Sequence, residues 1–217
     1  MKKIIIVIAT LFLINLAFAQ ELPILASFTD GTASTDTTER YIWVNTERLV
    51  SQSFTLENSG IVDKVMIYVG KNSQPSTIQI SITPSQYGYV SGNSLTTGTA
   101  TIQSGTVSAD SDYWLEIDVS NVKLDSGIYA ILIKSTGTDL SNYLLIPKVD
   151  EFAYPYSGGK CAWFNDGQWE DFNVNIHFKV LGTYENNPIL LILVFAVVLA
   201  IIFMLYKYYL KTKRRRR

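Results

Sequence analysis

Between Glu170 and Leu181 polar and apolar residues alternate: Phe172, Val174, Ile176, Phe178 and Val180 on one side, Asp171, Asn173, Asn175, His177 and Lys179 on the other. A period of two is the geometry of an extended strand with one buried and one wet face. The same pattern sends Val65, Ile67 and Val69 inward from "KVMIYVG", Ile78, Ile80 and Ile82 from "TIQISIT", and Leu115, Ile117 and Val119 from "YWLEIDV". Further strands are predicted at 40–44, 49–56, 100–108, 128–135, 142–147 and 160–164, whereas no stretch of 20–183 keeps helical spacing for three turns. The segments "ENSG", "GKNSQPS", "VSGNSLTTG", "KLDSG" and "NDG" supply turn residues, and "FNDGQW" predicts a tight hairpin joining the last two strands. About ten to eleven antiparallel strands with one apolar face each can bury those faces only against a second sheet. The fold class is therefore all-β, a jelly-roll-like β-sandwich, with an immunoglobulin-like sandwich as the alternative. The latter lacks its cysteine pair, since Cys161 is the single cysteine, expected as a buried residue rather than a link between chains.

Both ends of the chain are hydrophobic. Residues 1–19 carry Lys2 and Lys3 before an apolar run and end on Ala17 and Ala19, which predicts a secretory signal peptide, with an uncleaved anchor as the alternative. Residues 189–206 are uncharged and almost wholly apolar. At about 1.5 Å per residue they rise about 27 Å, close to a bilayer's hydrocarbon core, and predict one C-terminal transmembrane helix. Lys207, Lys211, Lys213, Arg214, Arg215, Arg216 and Arg217 follow it. They read as a topological latch on the cytoplasmic side, with contact to anionic lipid head groups as an extra. The expected order is signal peptide 1–19, extracellular β-sandwich 20–183, juxtamembrane linker 184–188, transmembrane helix 189–206 and basic cytoplasmic tail 207–217. This is a single-pass cell-membrane protein with its N-terminus outside.

Of 18 Lys and Arg, two lie before residue 20 and seven after 206; the nine left face 19 acids, a surplus of ten negative charges on the exported part. That surplus disfavours nucleic acid and anionic membrane as partners of this part.

The segments "LVSQSFTLENSGIVDKVMIYVG", "TIQISITP", "WLEIDVSNVKLDSGIYAILIKS" and "YSGGKCAWFNDGQWEDFNVNIHFKVLG" resemble jelly-roll modules akin to carbohydrate-binding domains of prokaryotic and viral surface proteins. The resemblance covers most of 48–182 and implies an accessory binding or adhesive module; no ligand residue is carried over from it. The polar stretch, apolar helix and basic cluster at the C-terminus also resemble a prokaryotic surface-sorting tail, without a sorting motif in "YENNP".

Catalysis finds little footing. His177 is the single histidine, placed by alternation on the solvent face with no nucleophile assigned to it, and "SGGKC" lacks phosphate-loop spacing. The chain is expected not to be an enzyme and to need no cofactor, calcium excepted: Asp30 with Asp36 and Asp110 with Asp112 sit in oxygen-rich loops that can hold a hard cation, and equally serve as turn residues. Aromatics are the clearer surplus. Tyr154, Tyr156, Trp163 and Trp169 crowd one segment, and Trp114 shares a face with Glu116 and Asp118. Flat rings beside carboxylates suit sugar rings and protein surfaces alike. The expected function is a surface binding or adhesion module for glycan or another surface protein; the alternative is a self-associating structural protein of an envelope, lattice or virion, or a subunit of a membrane complex.

Overall fold

The computed structural model describes residues 22–29, 41–45, 47–70, 73, 76–102, 112–135, 143–150 and 155–185, and nine helical residues between 196 and 207. The chain divides into two compact units, 1–184 and 185–217.

The described part of the first unit is antiparallel β-structure. Its strands are β1 Ile24–Phe28, β2 Tyr41–Val44, β3 Leu49–Leu56, β4 Gly60–Val69, β5 Ser76–Gln86, β6 Tyr89–Val90, β7 Thr96–Ile102, β8 Tyr113–Leu124, β9 Gly127–Ser135, β10 Leu144–Asp150, β11 Cys161–Asn165, β12 Gln168–Asp171, β13 Val174–Ile176 and β14 Phe178–Tyr184. They form a four-stranded sheet in the order β1-β14-β4-β8, a seven-stranded sheet β12-β11-β3-β9-β5-β6 with β7 also on β5, and a small sheet β13-β10-β2. The two larger sheets face each other as a β-sandwich. Ile78, Ile80, Ile82, Ile131 and Ile133 from one, and Val65, Ile67, Ile117, Phe178 and Val180 from the other, are buried in one core. Phe54 of β3 meets Phe178 of β14 across it, their ring centroids 6.1 Å apart.

On one flank the sheets close on each other. Thr96 Oγ1 donates to the Ser120 carbonyl at 2.7 Å, and a Cβ on Gly98 would come 2.2 Å from the Asp118 carbonyl oxygen. Only glycine allows this approach of β7 to β8. Thr96, Thr97 and Gly98 are thus strand residues, where the run "VSGNSLTTG" reads as a loop; of the expected strand 100–108, residues 103–108 lie outside the described ones.

The alternating run that ends the domain is not one strand. Asn173, with φ 39°, breaks it after β12, and the chain then contributes β13 to the small sheet and β14 to the four-stranded sheet. The "NDG" hairpin accordingly joins β11 to β12, two strands before the end. Asn175 and His177, expected to face solvent, are buried. Gln52 of β3 reaches across to hold this corner: its Oε1 accepts the Ile176 N–H at 3.1 Å, and its Nε2 donates to Asn175 Oδ1 at 3.4 Å and to the Ser53 carbonyl at 3.1 Å. His177 is inside because the rings of Phe28 and Tyr68 lie against it, 5.7 and 5.8 Å away. Cys161 is buried as expected.

In the second unit Ala196, Val197, Leu199, Ala200, Ile201, Phe203, Met204, Tyr206 and Lys207 are α-helical; the rest of 189–206 lies outside the described residues. Among the described residues no helix is long and apolar enough to cross a membrane. The signal peptide expected at 1–19 and the basic residues Lys211, Lys213 and Arg214 to Arg217 also lie outside them. Lys207 sits with its Nζ 5.2 Å from the Phe203 ring centroid.

Candidate functional site

The aromatic-rich segment is sorted by one hairpin. Asp166 and Gly167, with φ 49° and 85°, make the two-residue turn, and Asn165 pairs with Gln168 beyond it. Positive φ at both turn positions matches the twist of the flanking strands. Alternation then puts Ala162, Phe164, Trp169 and Asp171 on the outer face of the seven-stranded sheet, and Cys161, Trp163 and Glu170 on the inner one. Phe164 and Trp169 are cross-strand partners with ring centroids 5.3 Å apart, both half-buried.

Trp163, on the other side, is fully engaged. It stacks on Phe172 at 4.8 Å with the planes 10° apart, its Nε1–H donates to Glu170 Oε2 at 3.0 Å, and the Arg48 guanidinium lies 5.0 Å from its ring centroid. Tyr156 is a packing residue too, its ring 5.3 Å from Phe28 and 5.6 Å from Phe178. Burial pushes its phenol up to about 12.

Beside Phe164 and Trp169 lies a charged group on the same face. Lys160 pairs with Ser53 through its backbone: Ser53 N–H donates to the Lys160 carbonyl, and Lys160 N–H to Ser53 Oγ at 2.8 Å. The glycines of "SGGK" make this possible, since a Cβ on Gly159 would lie 2.1 Å from the Ser53 carbonyl oxygen. Lys160 Nζ bridges to Asp171 Oδ1 at 2.8 Å and rests 4.1 Å from the Tyr89 ring centroid. The hydrogen bond from Lys160 holds the Asp171 carboxyl below its ordinary value. Burial works against the charge on Lys160, but Asp171 and Tyr89 outweigh it and raise its pKa.

Tyr89 reaches Lys160 because the end of the β5–β6 hairpin leaves the plane of its sheet. In the plane, β6 would sit at least two strand spacings of about 4.8 Å from β3; instead it packs against both β9 and β3, and a Cβ on Gly88 would strike the Lys160 side chain. This arm, 85–90, curls over the outer face. Small residues take up the space beneath: Ser51, Ser53, Ala130 and Ala162 are wholly buried there. Its tip, Tyr87–Gly88, has φ of 55° and 89°, and the Tyr87 side chain is 81% exposed.

Trp114 lies on the outer face of the four-stranded sheet, opposite Tyr68 at 5.3 Å and capped by Lys179 Nζ 4.5 Å from its centroid. Next to it Lys64 bridges Glu116, and Asp118 at 3.2 Å. Trp169 and Trp114 therefore belong to separate surfaces. A third pair, Trp43 and Tyr143 at 4.4 Å with Trp43 48% exposed, went unread in the sequence. So did the arm, whose "QYGY" offers a turn-forming glycine between alternating residues as its signal.

Tyr154, Asp30, Asp36 and Asp110 lie outside the described residues. Asp112 is tied into the fold, accepting a hydrogen bond from Tyr41 OH at 3.0 Å on Oδ1 and one from Tyr68 OH on its carbonyl. Among the described residues no three His, Cys, Asp or Glu gather closely enough to hold a metal ion.

No family model matches the chain, and no curated protein does. Among solved structures it is similar to a Clostridial cysteine protease, Cwp84, after propeptide cleavage, with 15% identity over 66% of this chain and 38% of that one, at a TM-score of 0.44. A second structure, the cysteine protease and lectin-like domains of Cwp84, a surface-layer-associated protein of Clostridium difficile, is 16% identical over 67% of this chain and 36% of that one, with a TM-score of 0.42. The chain spans less than two-fifths of the length of either. Likeness at this level carries no function across.

Proposed function

We propose that the chain is a cell-surface binding module with a jelly-roll sandwich, tethered by its C-terminal apolar segment, and that it recognises neutral glycan through the outer face of the seven-stranded sheet. The observation that carries this reading is the Phe164–Trp169 ring pair, half-exposed on a face shared with the Lys160–Asp171 pair. Rings give a sugar an apolar plane to stack on, and the Asp171 carboxylate beside them gives its hydroxyls acceptors. The surplus of acids elsewhere in the domain opposes anionic ligands.

The test is binding of the full chain, in detergent, to an array of immobilised glycans. Trp169→Ala should weaken binding at least about tenfold, the scale of a central aromatic anchor, while leaving the melting temperature within a few degrees of wild type because β12 is a short edge strand. No glycan bound by wild type, together with elution as large assemblies, would overturn this reading in favour of a lattice element.

Anchoring makes its own prediction. The stretch 189–206 is long enough to span a bilayer, and the seven cations after it would resist translocation. Alkaline carbonate extraction should leave the full chain in the membrane pellet and release a chain ending at Glu185. Release of both would exclude a spanning segment.

A further inference from the structure

The outer face of the seven-stranded sheet holds two groups that packing does not explain. Ser51 Oγ and Ser85 Oγ are, among the described residues, the buried side-chain oxygens without a hydrogen-bond partner. Both lie on this face, Ser51 in its floor beside Ala162 and Leu132, Ser85 at the base of the curling arm. A buried hydroxyl left unpaired is destabilising, and alanine would fill the same space without that cost. Further hydroxyls line the floor. The row Asp171, Ala162, Ser51, Leu132, Ser81, Thr97 crosses six strands, about 24 Å at the usual spacing, and Ser53, Ala130 and Thr83 run beside it.

What covers this floor is held loosely. The arm is fastened at the far side through Tyr89, whose ring centroid lies 4.1 Å from Lys160 Nζ; with that lysine's side chain 28% exposed, this is a partly solvated cation–ring contact, the weaker class. Its tip carries a tyrosine in the left-handed region, a conformation that a bulky residue adopts only under constraint.

We propose that the arm 85–90 is a displaceable cover over a hydroxyl-lined trough, and that the trough takes a neutral sugar chain whose hydroxyls pair with Ser51 and Ser85 while one ring stacks on Phe164 and Trp169. This rests on the glycan reading above and gives it a seat. A cover that is closed most of the time lowers apparent affinity by the fraction of open molecules, so weakening its clasp should strengthen binding.

The experiment titrates the full chain, in detergent, with soluble neutral hexasaccharides of glucose, xylose, mannose and N-acetylglucosamine, and measures amide hydrogen exchange at Tyr89 and Val90. Ser51→Ala should lose about tenfold in affinity, one hydrogen bond's worth, while its melting temperature holds or rises. Lys160→Met, which keeps the stem and removes the charge, should bind more tightly and exchange faster at Tyr89 and Val90. If Trp169→Ala weakens binding but Ser51→Ala binds like wild type, the trough is overturned and the surface reading stands. Exchange at Tyr89 unchanged by Lys160→Met removes the clasp. Failure of wild type to bind any of the four probes overturns the trough and the glycan reading together.

Discussion

Phe178→Ala should cost about 3–5 kcal/mol of folding stability. The ring is fully buried, on the strand that lies between β1 and β4, and it touches Phe54 from the opposite sheet and Tyr156 from the segment before β11. Its removal opens a space between two sheets whose separation is set by many other side chains, so the walls cannot close on it. With total stability of ordinary domains at about 5–15 kcal/mol, the variant should be marginal at 37 °C. Urea unfolding checks this through the midpoint at an unchanged slope. A loss under about 1 kcal/mol would mean that the core is not continuous across the sheets.

Gln52→Leu tests the corner where the last alternating run is divided among three sheets. Leucine has nearly the volume of glutamine but accepts nothing, so the Ile176 N–H loses its partner and the Asn175 amide loses one of its contacts, both inside the protein. Stranding buried polar groups costs about 1–3 kcal/mol each, which sets the expected loss at about 2–4 kcal/mol. The effect should be local as well as global: hydrogen exchange at Ile176 should rise well before the isoleucine core of β5 and β9 opens. A variant as stable as wild type, with Ile176 still protected, would show that the glutamine contributes no net support.

The contrast between these two residues marks what is legible in the sequence. Phe178, and the isoleucines of β5, announce their burial through alternation, because an apolar side chain needs only to be on the correct side of its own strand. Gln52, Asn175 and His177 do not, because a polar residue goes inside only when a partner waits there, and Gln52, one partner of Asn175, is 123 residues away from it. The break at Asn173 is hidden for the same reason: alternation continues through it while the backbone changes sheets. Parity counted from Phe172 places Trp169 outward, and it lies on the outer face because the ladder runs unbroken from Gln168 to Phe172, whose N–H donates to the Cys161 carbonyl, the break coming only at Asn173. Trp163 and Tyr156 share its segment, yet the hairpin's parity and the Phe28–Phe178 contact draw them inward. The curl of the arm depends on Lys160 and Gly88 meeting, a contact that no local pattern encodes.

The seam between β7 and β8 has a consequence for how copies of this domain can meet. Each of the two larger sheets has one border turned toward the other there, occupied by the Thr96 bond and the close approach at Gly98. Among the described strands, recruitment of a neighbour's backbone into either sheet therefore begins at the opposite flank, at β1 or β12. Of these β12 is four residues long and ends in Glu170 and Asp171, a poor template for extension, so β1 is the border at which fibre-like growth would have to be guarded against.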